Sequence, residues 1–121
     1  MNPQICNLDQ LKAMTGDDVG IMKEFIKMYL KDTPVLEQKI IEAKERAQYI
    51  GEDGVAWCCH KIAPQLSYMG MNECHELVKN IESKLKSLEG ASFPELDAEL
   101  AQIHDYCAKS YIELNAFMDS N

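Results

Sequence analysis

Three histidines and five cysteines are the side chains of this sequence best suited to act as nucleophiles or as zinc ligands. Of these, His60 lies in the segment with the clearest helical pattern. Apolar residues recur there at intervals of four, three, four and three, at Val55, Cys59, Ile62, Leu66 and Met69. This spacing predicts a helix with one buried face. At about 100° per residue, His60 lies roughly 160° from the centre of that face, so we expect its imidazole to face solvent.

Small side chains are expected around His60 on the outer side of that helix. Its neighbours there are Ala56, Ala63, Pro64 and Ser67. An imidazole among small side chains can be approached closely by another protein, and a neutral imidazole nitrogen is a competent nucleophile. The same placement is also that of an ordinary surface histidine, so geometry alone leaves both interpretations open.

The segment around His60 resembles the phosphohistidine helix of histidine-containing phosphotransfer (HPt) domains. The resemblance is carried by residues 57–70, WCCHKIAPQLSYMG. The family places a histidine in mid-helix, followed by two residues, usually a lysine, a small residue and later a glycine, which is Gly70 here. Further matches lie on both sides, at residues 15–18, Phe25, Leu30, Pro34, Leu77, Ile81 and Glu82. Nearly the whole chain is covered, and the His60 segment is its specific part.

The resemblance implies that His60 accepts a phosphoryl group from an aspartyl phosphate on a receiver domain and passes it to another receiver domain. The partners would be response regulators or hybrid kinases. They would dock on the surface around the histidine, at Ala56, Trp57, Lys61, Ala63, Pro64 and Ser67. The chain has no Gly-rich phosphate-binding loop, so we expect a carrier without kinase activity. Magnesium is expected on the receiver, and no cofactor or metal ion on this chain.

Two positions depart from the family pattern. The residue three positions after the histidine is usually lysine, and here it is Ala63. An ammonium group there is worth between ~0.5 and ~3 kcal/mol to a nearby phosphoryl group. Its absence supports an alternative, an adaptor that binds receiver domains without relaying phosphate. Lys61 points about 100° around the helix from His60 and is a poor substitute.

Pro64 stands where a small residue is common, and because the apolar stripe continues beyond it, we expect a kinked helix.

Helical periodicity extends over almost the whole chain, and strand signals are scarce. The predicted helices span approximately residues 8–14, 18–32, 33–50, 53–69, 72–89 and 96–118. Their expected N-terminal caps include Asp17 or Asp18, Thr33 and Asp53. Amphipathic helices joined by short turns pack best as a bundle. We therefore predict an all-α fold, an antiparallel four-helix bundle with an additional short N-terminal helix or helices, in a single domain over residues 1–121.

The charge balance argues for a protein partner. Twelve basic and twenty acidic residues give a net charge of −8, which repels nucleic acid and anionic membranes. No apolar run approaches the roughly 20 residues of a membrane span, and residues 1–11 lack the features of a secretory signal. We expect a monomeric, cytoplasmic protein, and we favour a free-standing protein over the alternative of a module from a larger kinase. A plain helical scaffold, unrelated to phosphotransfer, is the third hypothesis.

The remaining candidate ligands do not form a recognisable metal site. The spacing of known zinc frameworks is absent from the set Cys58, Cys59, His60, Cys74, His75, His104 and Cys107. Cysteines on the apolar stripes are expected to be buried, reduced thiols. Trp57 is expected either half-buried in the bundle or exposed as an interface anchor.

Overall fold

The computed structural model describes residues 4–121, and residues 1–3 of the predicted domain lie outside this range. The described residues form five helices and no strand, namely α1 (Asp9–Met14), α2 (Val19–Glu45), α3 (Val55–Tyr68), α4 (Asn72–Ser87) and α5 (Leu96–Ser120). The pairs α2/α3, α3/α4, α4/α5 and α5/α2 all pack together and close a four-helix bundle, with α1 beside α2. The predicted all-α bundle with a short N-terminal helix is confirmed. Within residues 4–121, no helix combines the length and apolar character needed to cross a membrane.

Polar contacts between helices show that neighbouring helices run antiparallel. Contacts between α2 and α5 join Lys44 to Asp97 at 2.8 Å and Glu37 to His104 at 3.1 Å. The later residue of α2 thus pairs with the earlier residue of α5, as expected for antiparallel helices. The same reversal relates α4 to α5, in the contacts Lys84–Glu99 at 3.3 Å and Glu73–Tyr106 at 2.9 Å. Short connections between successive helices favour this arrangement.

The predicted break between two helices at residues 32–34 is wrong, because α2 runs through these residues. It continues through Pro34 as one helix of 27 residues. Its buried stripe stays in helical phase across the proline, at Met22, Ile26, Tyr29, Thr33, Glu37, Ile40 and Ala43. Thr33 is therefore not a cap. It is fully buried, and its hydroxyl donates a 3.5 Å hydrogen bond to Gln65 on α3. Burial on both sides of Pro34 outweighs the lost backbone hydrogen bond.

Helix α3 lies between α2 and α4 and has the widest buried surface. The predicted stripe of Val55, Cys59, Ile62, Leu66 and Met69 is buried, as expected. The helix continues through Pro64 to Tyr68, so it does not end at the proline. Ala56, Cys58 and Ala63 are also buried because both neighbouring helices cover the flanks of the stripe. Small side chains at these positions allow that close approach.

The ends of the helices match the sequence expectations in part. Asp18 caps α2, its carboxylate accepting a 3.1 Å hydrogen bond from the backbone N–H of Ile21. Asp53 does not cap α3, because it adopts a positive φ of 64° in the preceding turn and Gly54 takes the cap position. Two residues expected on the third predicted helix, Ala47 and Ile50, lie instead in the connection from α2 to α3. Two residues expected on buried stripes, Val19 and Leu88, are exposed.

A pair of proline substitutions tests the continuity of α2. Pro34→Ala restores a backbone donor inside the helix, so we expect the free energy of unfolding to rise by about 1–2 kcal/mol after the smaller cost of a more flexible unfolded chain. Pro94 precedes α5 in a turn, where the same change removes only the proline's rigidity. We expect Pro94→Ala to lower stability by up to about 1 kcal/mol. Urea unfolding measures both variants, and a loss of stability in Pro34→Ala would contradict a continuous α2.

Candidate functional site

His60 projects from the middle of α3 on the side that faces α4. Its side chain is 64% exposed, which confirms the exposure predicted from the helical phase. The ring is not free of contacts, because Nδ1 lies 3.1 Å from Oε2 of Glu82 on α4. The histidine is therefore an exposed side chain anchored at one nitrogen.

Glu82 is a buried carboxylate held by three partners. Its side chain is only 6% exposed. Lys79 Nζ lies 3.0 Å from Oε1, and Lys86 Nζ lies 2.8 Å from Oε2, the oxygen that also faces His60. Burial by itself raises the pKa of Glu82, but hydrogen bonds and charge from Lys86 and Lys79 outweigh it and lower the pKa to about 2. Glu82 is consequently ionised at neutral pH.

The charge on Glu82 determines which nitrogen of His60 can react. An ionised carboxylate only accepts hydrogen bonds, so the Nδ1 atom of His60 must donate one. In the neutral imidazole the lone pair then belongs to Nε2, on the opposite edge of the ring. The contact thus fixes the ring orientation and assigns Nε2 as the nucleophilic nitrogen.

Two shallow hollows flank His60, and each contains one of the two lysines. The hollow toward the C-terminal end of α3 is lined by His60, Ala63, Pro64, Ser67, Tyr68, His75 and Lys79. The other is lined by His60, Ala56, Trp57, Lys86 and residues 50–52. Ala63 and Ala56, one in each hollow, are almost fully buried. The imidazole therefore stands between two depressions, with a lysine in each.

The six residues predicted as a docking face differ in their exposure. Lys61 and Pro64 are exposed, Ser67 is half-buried, and Trp57 is half-buried with Lys61 Nζ 5.1 Å from its ring centroid. The expectation that Ala56 and Ala63 lie on the outer side of the helix is wrong, because α2 and α4 bury a wider arc of α3 than the apolar stripe indicates. Partner docking at these residues stays a prediction.

The contacts of buried Glu82 with His60, Lys79 and Lys86 were not predicted from the sequence. A detectable signal was present. Glu82 lies four residues after buried Val78 and three before buried Leu85, which is core spacing, and its two lysines follow the i−3 and i+4 positions of helical ion pairs. A glutamate at a core position with lysines at both spacings indicates a buried carboxylate with paired cations. What the sequence alone could not supply is the facing histidine on α3.

A second histidine–carboxylate pair lies on another side of the bundle. His104 on α5 is 70% exposed, and its Nδ1 atom lies 3.1 Å from Oε1 of buried Glu37 on α2. The other carboxylate oxygen accepts a short hydrogen bond from the Tyr111 hydroxyl. Lys44 lines a surface groove together with Glu37 and His104, but it pairs with Asp97. Within residues 4–121, no lysine pairs with Glu37. The two pairs share their histidine geometry and differ in their cations.

The cysteines form no competing centre in this structure. All five are free and buried. Cys59 precedes His60 in the chain, and its pKa is raised to about 12, first by burial and then by the charges of Cys58, Glu82 and Cys74, so its thiol stays protonated. Across residues 4–121, no three side chains of His, Cys, Asp or Glu are grouped closely enough to hold a metal ion.

No protein-family model, curated protein or solved structure matches this chain. The resemblance to HPt domains therefore rests on the residues around His60 and on the physical arguments given for them.

The acid stability of the protein should depend on Glu82. A carboxyl group whose pKa falls from an ordinary 4.5 to about 2 on folding stabilises the native state above pH 4.5. That contribution disappears as the pH falls toward 2, because the unfolded chain then binds the proton first. We expect Glu82→Gln to cost about 1–3 kcal/mol at pH 7 and nearly nothing near pH 2. Exposed Glu76 on the same helix supplies the control Glu76→Gln, and parallel wild-type and Glu82→Gln curves in urea unfolding from pH 7 to 2 would refute this role.

Proposed function

We propose that this protein is a phosphoryl carrier that accepts a phosphoryl group on Nε2 of His60 and passes it on. The donor is the aspartyl phosphate of one receiver domain and the acceptor is an unphosphorylated aspartate of another, in response regulators or hybrid kinases. In the accepting step, the Nε2 lone pair attacks phosphorus and an N–P bond forms. The P–O bond to the aspartyl oxygen breaks, and the receiver carboxylate leaves with the electron pair. Nδ1 keeps its proton, so the ring becomes positively charged.

The contact between His60 Nδ1 and Glu82 is the observation that carries this proposal. Before the reaction, the ionised carboxylate accepts a hydrogen bond from Nδ1, so the lone pair of the neutral ring is on Nε2. During the reaction, the same carboxylate faces the imidazole as it gains positive charge, which stabilises the product. His104 makes the same kind of contact with Glu37, and His60 differs from it in the two lysines that pair with its carboxylate.

The remaining chemistry is assigned to the partner. Phosphoryl transfer needs positioning and neutralisation of charge, and a magnesium ion in the acidic pocket of the receiver would supply the metal part of both. The chain is expected to act without kinase activity of its own, as a monomer in the cytoplasm. The partner would approach over the two hollows beside His60, whose alanine floors leave the imidazole accessible.

An adaptor that binds receiver domains without relaying phosphate remains the second candidate. The observation in its favour is Ala63, which leaves α3 without a lysine one turn after the histidine. Stoichiometric binding of a receiver domain by the wild-type chain, without any transfer of label, would select this function instead.

Labelling with a phosphorylated receiver domain or with phosphoramidate tests the proposed carrier. We expect acid-labile, alkali-stable label on the wild-type protein and its loss by a factor of 100 or more in His60→Gln, because the nucleophilic nitrogen is removed. His104→Gln is a matched control, since it removes an equally exposed histidine with the same carboxylate contact. It should label like the wild type.

Two results would overturn the assignment. Undiminished labelling of a folded His60→Gln protein excludes His60 as the acceptor. Loss of label in His104→Gln alone moves the acceptor to the other histidine–carboxylate pair.

A further inference from the structure

We propose that Lys79 and Lys86 of α4 bind the phosphoryl group on His60 and so supply the positive charge that Ala63 does not provide on α3. This inference rests on the proposed function of His60 as a phosphoryl acceptor. It adds a specific role for two side chains that neighbour the imidazole through a shared carboxylate.

The two lysines are placed on opposite sides of the imidazole. Lys86 Nζ and His60 Nδ1 contact the same atom, Oε2 of Glu82, at 2.8 and 3.1 Å. Lys79 Nζ contacts the other oxygen at 3.0 Å. Each lysine also lines one of the two hollows beside His60. A phosphoryl group on Nε2 would therefore lie next to a cation whichever hollow its oxygens enter.

The balance of charge leaves one lysine available. Glu82 carries a single negative charge and is paired with two ammonium groups, so one pairing suffices to keep the buried carboxylate neutralised. A phosphoryl group brings further negative charge and several strong acceptor oxygens. Either lysine can turn toward it while the other stays on Glu82. The transfer of the phosphoryl group thus leaves no buried charge unpaired.

Both side chains can make this movement. Lys79 is 46% exposed and Lys86 is 63% exposed, although the carboxylate they hold is buried. Lysine has a flexible four-carbon stem and an ammonium group that can donate in any direction. Exposed ammonium groups of this kind exchange between neighbouring acceptors at little cost. The Glu82 pairing keeps them beside His60 when no phosphoryl group is present.

His60 and His104 differ in the lysines near their carboxylates and not in the carboxylate contact itself. His104 has the same 3.1 Å contact between Nδ1 and a buried carboxylate, yet the second partner of Glu37 is the hydroxyl of Tyr111. If a histidine–carboxylate pair were sufficient, both histidines should accept phosphate equally. Because only His60 has lysines beside its carboxylate, we expect His60 to accept the phosphoryl group and His104 not to accept it.

The test measures the rate constant for labelling of His60 by phosphoramidate. Removing one cation at this distance should slow labelling about twofold to tenfold in Lys79→Met or Lys86→Met, and about tenfold or more in the double variant. Replacement of each lysine by arginine keeps the charge and should retain most of the rate. Lys84→Met is the matched control, because Lys84 lies on the same helix with similar exposure but pairs with Glu99. It should label at the wild-type rate.

A second set of variants distinguishes a direct role from an indirect one through Glu82. Glu82→Gln removes the buried charge, so Lys79→Met and Lys86→Met no longer leave a carboxylate unpaired and should be tolerated by the fold. Slower labelling on adding both lysine changes to Glu82→Gln supports direct binding of the phosphoryl group. If the lysine changes have no effect in that background, the lysines act only on Glu82 and the inference is overturned.

The two proposals can fail separately. A wild-type protein that labels on His60 at the same rate as the double lysine variant refutes the role of the lysines and leaves the carrier function intact. A folded wild-type protein that takes up no label from phosphoramidate or from a phosphorylated receiver refutes the carrier function, and the role of the lysines falls with it.

Discussion

The burial of the Glu82 charge is the constraint on which the arrangement of the site depends. A carboxylate between packed helices loses the hydration that would stabilise it in water and must be compensated by charged or hydrogen-bonding partners. Lys79 and Lys86 supply the charge from the same helix, and His60 adds a donor from α3. The need to compensate one buried carboxylate thus determines where two ammonium groups and an imidazole lie. The buried carboxylate therefore positions the side chains around it, including the imidazole of His60 at the surface.

The fold was largely predictable from the sequence because its signal is repeated over several turns of each helix. The stripe on α3 was placed correctly through Pro64, and the exposed position of His60 followed from helical phase alone. The same reasoning failed at Pro34, where a break was predicted in a continuous helix. The difference lies in the stripe itself. Around Pro64 the buried positions are apolar, whereas after Pro34 the stripe passes through Glu37, a buried polar residue that hides the continuity.

The candidate site was only partly predictable, for a related reason. His60 belongs to one helix and its exposure can be predicted from helical phase, but its partner Glu82 belongs to another helix and becomes a neighbour only through packing. Glu82 occupies a core position in sequence terms, yet nothing in the local pattern connects it with a residue 22 positions earlier. Similarly, the burial of Ala56 and Ala63 reflects the contacts that α3 makes with both α2 and α4, and these are properties of the assembled bundle.

Position 63 bears no lysine, but in the folded bundle Lys79 of α4 lines the same hollow as Ala63. Ala63 is 4% exposed and lines the hollow that also contains Lys79, so a long side chain at position 63 would fill the space beside the imidazole. Lys79 on α4 lines the same hollow with a side chain that is 46% exposed, so its ammonium group remains accessible to water. Charge placed there costs less desolvation and still lies beside the imidazole. Positive charge near His60 is needed at a position in space and not at a particular position in the sequence. In this bundle, lysines on α4 can supply that charge more readily than a lysine on α3.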